Sequence, residues 1–184
     1  MHLNTNRLIK NLLARDEGAY EILLDKYEVP VFRFFYYSHG NHEAAKDQCG
    51  ETFARFVISV KKFNANNPGS LGAFIFGIAR NVLLQSYRSK KVIQEGSYSL
   101  EKIPSSKPSV FQEVSSREEL VFALDAIKKF KEPQRQILLL RFVEDLKLNE
   151  IACIMNIPIN SVKSHIHRGR KKLCELLSED KLSD

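Results

Sequence analysis

Apolar residues recur at three- and four-residue spacing along almost the whole chain, and no stretch alternates apolar and polar residues between hairpin turns. A chain patterned this way buries one stripe per helix, so the sequence predicts an all-α fold. The first helix is expected from about Thr5 to Ala14. A second, opened by Asp16, carries Ala19, Ile22, Leu23, Tyr27, Val31, Phe34 and Phe35, and Pro30 is expected to kink or shorten it. His39, Gly40 and Asn41 supply a stop and a new start, after which Ala45, Cys49, Phe53, Phe56, Val57 and Val60 form one stripe. The segment Asn64 to Gly69, NANNPG, reads as a loop. A fourth helix from about Ser70 buries Phe74, Ile75, Ile78, Ala79, Val82 and Leu83 and leaves a basic end exposed.

The periodicity lapses between about Val92 and Ser115, where Gly96, Ser97, Ser99, Pro104, Ser105, Ser106, Pro108 and Ser109 accumulate. This lapse divides the 184 residues into two small helical domains, 1–91 and 116–184, joined by a flexible linker, 92–115. Ser116 to Glu119 forms a capping box, in which the serine and the glutamate satisfy each other's free amides, and starts the second domain.

The net charge is +6, and its placement is more informative than its size. Arg80, Arg88, Lys90 and Lys91 close one helical segment, while Lys163, Arg168, Arg170, Lys171 and Lys172 line another. Two separate basic helices point to two separate contacts with nucleic acid. No apolar run approaches the roughly 18 residues of a membrane span, and Met1 to Leu13 lacks the apolar stretch of a signal peptide. A cytoplasmic protein without membrane insertion is therefore expected. Cys49, Cys153 and Cys174 are widely spaced and read as small buried apolar residues rather than a disulfide framework or a zinc site. His165 and His167 diverge at two-residue spacing with no third ligand nearby, so neither metal nor cofactor is expected. The sequence has no glycine-rich phosphate loop, no H-E-x-x-H and no nucleophile motif, and it reads as a non-enzyme.

From Pro133 the chain parses into a scaffold helix, a short helix, a tight turn and a longer basic helix, which is a helix-turn-helix. Asn149 is expected to cap the short helix, with Ile151, Ala152 and Ile154 inward, Ala152 being small enough for a close crossing. Ile157 anchors the turn and Pro158 opens the next helix. There Val162, Ile166 and Leu173 point inward, leaving Lys163, Ser164, His167 and Arg168 on the outer face that a major groove would meet. Arg170, Lys171 and Lys172 suit the phosphate backbone. The plain alternative is a solvated basic face.

Three stretches carry a resemblance. AKDQCGETFARF (Ala45 to Phe56) is similar to the block A-E-D-L-x-Q-E-T-F, and GAFIFGIARNVLLQSYRSKK (Gly72 to Lys91) to F-x-x-W-L-x-x-I-A-R-N with a basic tail. NSVKSHIHRGRKKL stands where the pattern G-T-V-K-S-R-x-x-R-A-R-x-x-L is found. On these the chain resembles the sigma-70 family, in its short extracytoplasmic-function form that keeps only the second and fourth conserved regions. The resemblance implies a sigma factor that binds core RNA polymerase and directs promoter recognition, melting and transcription initiation. It implies that Asp47, Glu51 and Thr52 dock on the clamp-helix coiled coil of the polymerase, with Phe53 reading as core and Gly50 standing where glutamine is usual. It implies that Asn64, Asn66 and Asn67 capture a flipped base of the minus-ten element, the bland reading being an asparagine-rich turn. Arg80, Arg88 and Lys90 would hold phosphates of the separated strand, and Asn81 would touch DNA or serve as a structural hydrogen bonder. Phe74, in the usual tryptophan position, reads as core. Ser161, Lys163, Ser164, His167, Arg168 and Lys171 would meet the minus-thirty-five element, and the histidines at 165 and 167 imply altered base preference and sensitivity to pH. A cognate anti-sigma factor is the further implied partner. The rival reading is a stand-alone helix-turn-helix regulator that dimerises and binds promoter DNA without polymerase; it leaves the N-terminal blocks without a task.

Overall fold

The computed structural model describes residues 5–63, 70–90 and 124–180, and all regular structure among them is helical. Helix α1 (Thr5–Leu13) leads into α2 (Glu17–His39), which opens where the Asp16 carboxylate accepts from the Ala19 amide at 2.9 Å. It closes at Gly40, whose φ of 74° lies in the left-handed region that glycine enters without strain. Helix α2 runs through Pro30 for 23 residues, so the proline does not shorten it as expected. Proline in a helix interior costs about 3 kcal/mol. Val31, Phe34 and Phe35 just beyond it are fully buried, at about 1.5–3 kcal/mol for each large apolar side chain, and this outweighs the lost hydrogen bond. Helix α3 (His42–Ser59) starts on the Asn41 side chain, which accepts from the Ala44 amide at 2.9 Å, and ends in a 3₁₀ turn, Val60–Lys62. Helix α4 (Leu71–Lys90) begins beside the Ser70 hydroxyl, which accepts from the Ala73 amide.

The C-terminal half begins, among the described residues, with a helical turn at 124–128. Helix α5 (Gln134–Leu138) widens into a π-helical turn, Leu139–Val143, and is followed by α6 (Leu148–Met155) and α7 (Ile159–Asp180). Asn149 does not cap α6. The Glu150 carboxylate reaches back to the Lys147 amide at 2.9 Å, so the helix starts two residues earlier than a cap at Asn149 would place it, and Asn149 lies inside it. Asn156, at φ 53°, ends α6, and the Pro158 carbonyl accepts the Ser161 and Val162 amides that begin α7. Helix α7 crosses α5 closely at Gly169, where a Cβ would lie 2.5 Å from Leu138 Cδ2.

Two apolar stripes are narrower than the sequence pattern predicts, with Ile22 37% and Val57 47% exposed. Of the cysteines only Cys49 is buried; Cys153 and Cys174 are exposed. The expected linker and the capping box at Ser116 lie outside the described residues. The two halves share one apolar core, which contains Phe34, Phe35, Phe56 and Ile75 of the first and Ile127, Ile137, Leu139 and Ile151 of the second. Helix α4 packs along α6, and α2 packs against α5 and the π turn.

Candidate nucleic-acid and partner interfaces

The turn at Asn156 sets the direction of α7, and burial of Val162 and Leu173 sets its rotation. Lys163, Ser164, His167, Arg168 and Lys171 are consequently all exposed, as the helical spacing predicts, while Ser161 is half-buried at the start of the helix. A shallow concavity runs along this face, lined by Asn160, Ser161 and His165 together with Lys163, Ser164, His167 and Arg168. Its polar atoms are ordered along the helix: the Ser164 hydroxyl donates to the Asn160 carbonyl at 2.9 Å and Arg168 Nε to the Ser164 carbonyl at 3.3 Å. Burial, and then the nearby Arg168 guanidinium, hold His165 below the usual imidazole value. The neutral form of His165 is therefore favoured at pH 7. Lys172 points away from the concavity and lies over the Phe130 ring, 5.5 Å from its centroid.

On α4 the expected DNA residues separate. Asn81 and Arg88 are exposed. Arg80 is half-buried, and its Nε donates to Gln136 Oε1 across the domain boundary at 3.2 Å. Burial lowers the Arg80 pKa while Glu132 opposes the shift, so this cation is engaged inside the molecule instead of standing on an open face. Lys90 belongs to the last turn of α4. Asn64, Asn66 and Asn67 lie outside the described residues. Phe74 packs edge-on against Phe56 and Phe63, at 6.0 and 5.3 Å between ring centroids, in keeping with a core role.

On α3, Asp47 and Glu51 share one exposed face, and the Glu51 carboxylate pairs with Arg55, which also reaches Gln85 of α4. Thr52 does not belong to that face. It is fully buried, and its hydroxyl donates to the Gln48 carbonyl at 2.8 Å. The physical reason is rotation: one residue on from Glu51 is about 100° around the helix, which turns Thr52 onto the side of Phe56. The face carries instead Ile58, 81% exposed, seven residues beyond Glu51 and so almost above it. The stripe read from the sequence leaves Ile58 out of the core but gives it no task.

Two family models match the chain, "Sigma-70 region 2" over residues 23–93 and "Sigma-70, region 4" over residues 123–173. The ECF RNA polymerase sigma factor SigW of Bacillus subtilis (strain 168) is 27% identical over 188 residues, an alignment that covers 97% of this chain and 100% of SigW. The ECF RNA polymerase sigma factor EcfG of Rhodopseudomonas palustris (strain TIE-1) is 31% identical over 159 residues, covering 85% of this chain and 84% of EcfG. Among solved structures, the sigma factor RpoE of Bartonella quintana, in complex with the anti-sigma factor NepR, shares the fold at a TM-score of 0.67 and 22% identity, over 88% of this chain and 97% of that one.

Proposed function

The chain belongs to the sigma-70 family of RNA polymerase sigma factors, in its extracytoplasmic-function branch, and within that role of polymerase binding and promoter-directed initiation we propose the following division of labour. Residues 1–91 dock on core polymerase and take the minus-ten element, residues 116–184 read the minus-thirty-five element, and 92–115 link them. The exposed α3 face offers Asp47 and Glu51 to basic residues of the polymerase, with Ile58 beside them as an apolar anchor; Thr52 supports that face from within. Asn81, Arg88 and Lys90, with Arg80 once it is released from Gln136, follow the separated strand, and Asn64, Asn66 and Asn67 take a flipped base. Lys163, Ser164, His167 and Arg168 read base edges in the major groove, while Ser161 and Lys171 hold phosphates.

The observation that carries this reading is the presence, on two different halves of one chain, of an exposed acidic face on α3 and an exposed basic face on α7. A stand-alone regulator has use for the second alone. The protein acts in the cytoplasm and performs no chemistry of its own. An anti-sigma factor is its further partner, as NepR is for the neighbour of like fold.

Run-off transcription with sigma-free core polymerase on a library of promoters tests the assignment. The wild-type chain is expected to direct specific initiation, Glu51→Arg to lose polymerase binding, and Arg168→Ala to lose about 1–3 kcal/mol of promoter affinity. Promoter-independent binding as a dimer, without initiation, would overturn it.

A further inference from the structure

Asn160, in the first turn of α7, has no part in the division of labour proposed for this helix. It is exposed and lines the α7 concavity together with Ser164 and Arg168. Residues 160, 164 and 168 follow one another at four-residue spacing and so share one line of the helix surface. Val162 is fully buried two residues on, about 200° around the helix, and this turns Asn160 outward. In the pattern G-T-V-K-S-R that this stretch resembles, glycine occupies the corresponding place, so an amide side chain stands here where that pattern offers none.

Hydrogen bonds within the face give the three polar groups on this line different capacities. The Ser164 hydroxyl donates to the Asn160 carbonyl at 2.9 Å, which leaves the serine oxygen to accept. Arg168 Nε donates to the Ser164 carbonyl at 3.3 Å, which leaves the Nη1 and Nη2 fork, a pair of donors. Among the described residues the Asn160 side-chain amide has no hydrogen-bond partner, so on this line it alone offers a donor and an acceptor side by side. Adenine is the one base whose major-groove edge presents the complementary pair, the N7 acceptor next to the N6 amine. We propose that Asn160 is a specificity-determining residue that reads one adenine of the minus-thirty-five element, Nδ2 donating to N7 and Oδ1 accepting from the N6 amine. This rests on the assignment of α7 to that element made above. The first turn of a recognition helix is the part that reaches base edges. Residues 160 and 168 are separated by a helical rise of about 12 Å, and bases stack about 3.4 Å apart. The adenine therefore lies about three or four base pairs from the guanine whose O6 and N7 the Arg168 fork takes.

The test uses holoenzyme assembled from the full chain and core polymerase, with promoter duplexes found by the run-off assay. Each adenine of the minus-thirty-five element, on either strand, is replaced in turn by 7-deazaadenine, which keeps its Watson–Crick pairing but lacks the N7 acceptor. Relative affinities are read by competition between duplexes. With wild type, one adenine is expected to be sensitive, its deaza duplex binding about tenfold more weakly. That adenine should stand about three or four base pairs from the guanine whose replacement by 7-deazaguanine weakens wild type but leaves Arg168→Ala unaffected. Asn160→Ala removes the amide and raises helix propensity, so a weaker helix cannot account for its loss. It is expected to bind the natural duplex about tenfold more weakly and to be indifferent to 7-deazaadenine at that one position. An Asn160→Ala holoenzyme as sensitive as wild type at every adenine overturns the proposal, and so does a wild type that senses the loss of N7 at none. Arg168→Ala separates the failures. If it leaves binding and initiation unchanged, the assignment of α7 falls and the proposal with it. If it loses initiation while Asn160→Ala keeps the wild-type adenine profile, Asn160 alone is struck.

Discussion

Gly169 has the tightest surroundings of the glycines with room assigned to them, because α7 crosses α5 with Leu138 Cδ2 where a Cβ would stand. Gly169→Ala is therefore expected to destabilise the protein by about 1–3 kcal/mol in urea unfolding. In a Leu138→Ala background the cost should largely vanish, which a double-mutant cycle would measure; an equal cost in both backgrounds would sink the explanation. The cysteines differ just as sharply. Cys49 donates to the Glu28 carbonyl, and burial, then the Glu28 charge, push its thiol up to about 12. A thiol reagent at pH 8 should modify Cys153 and Cys174 quickly and Cys49 only on unfolding; rapid reaction of all three would contradict the burial. The burial of Cys49 is legible in its place on the α3 stripe, whereas the exposure of Cys153 and Cys174 and the crossing at Gly169 are not. A glycine inside a helix and a cysteine off an apolar stripe look alike whether the neighbouring helix is 4 Å away or absent.

At the scale of the element, α3 is amphipathic, with Asp47, Glu51 and Ile58 on the face opposite the buried stripe. Gly50 interrupts it, and nothing lies within 4 Å of a Cβ placed there. Gly50→Gln should gain about 0.5–1 kcal/mol of stability from helix propensity alone, read as a higher urea midpoint. A loss would show that the position is less open than it stands. Helix starts were legible where a side chain ahead of the helix caps it, as Asp16 and Asn41 do. They were misjudged where the cap comes from inside, as at α6, whose Glu150 carboxylate serves both its own first turn and the distant Ser70 amide. The full length of α2 through Pro30 belongs to the same class, since local chemistry allowed a shortened helix and the burial of Val31, Phe34 and Phe35 beyond the proline carries it on.

For the whole molecule the seam between the halves carries a pH dependence. Burial pushes the Glu144 carboxyl up to about 7 against the pull of Arg33, the charged group facing it from α2; Arg141 and Asp145, its neighbours in sequence, pair with each other. A carboxyl raised in the closed form favours closure most fully below the ordinary value of 4.5, and that contribution is lost as pH rises through about 7. Wild type should expand between pH 5.5 and pH 8 by more than Glu144→Gln does, and equal profiles in scattering would exclude Glu144 as the cause. In the same pH range His165 contributes differently. Burial, and then the Arg168 charge, hold its value below that of a free imidazole, so its neutral form is favoured over the upper part of that range.

The amino-acid sequence by itself determined the helical class and the outward set Lys163, Ser164, His167 and Arg168, because each follows from local periodicity. It also carried the blocks that identify the family. Only the tertiary structure decided that Thr52 is core, that α7 must cross α5 at a glycine, and that Arg80 is spent on Gln136. The reason is physical. Periodicity states which side of a helix avoids water, but what that side meets, and which charges are buried together, depends on residues up to 111 positions apart, as Arg33 and Glu144 are.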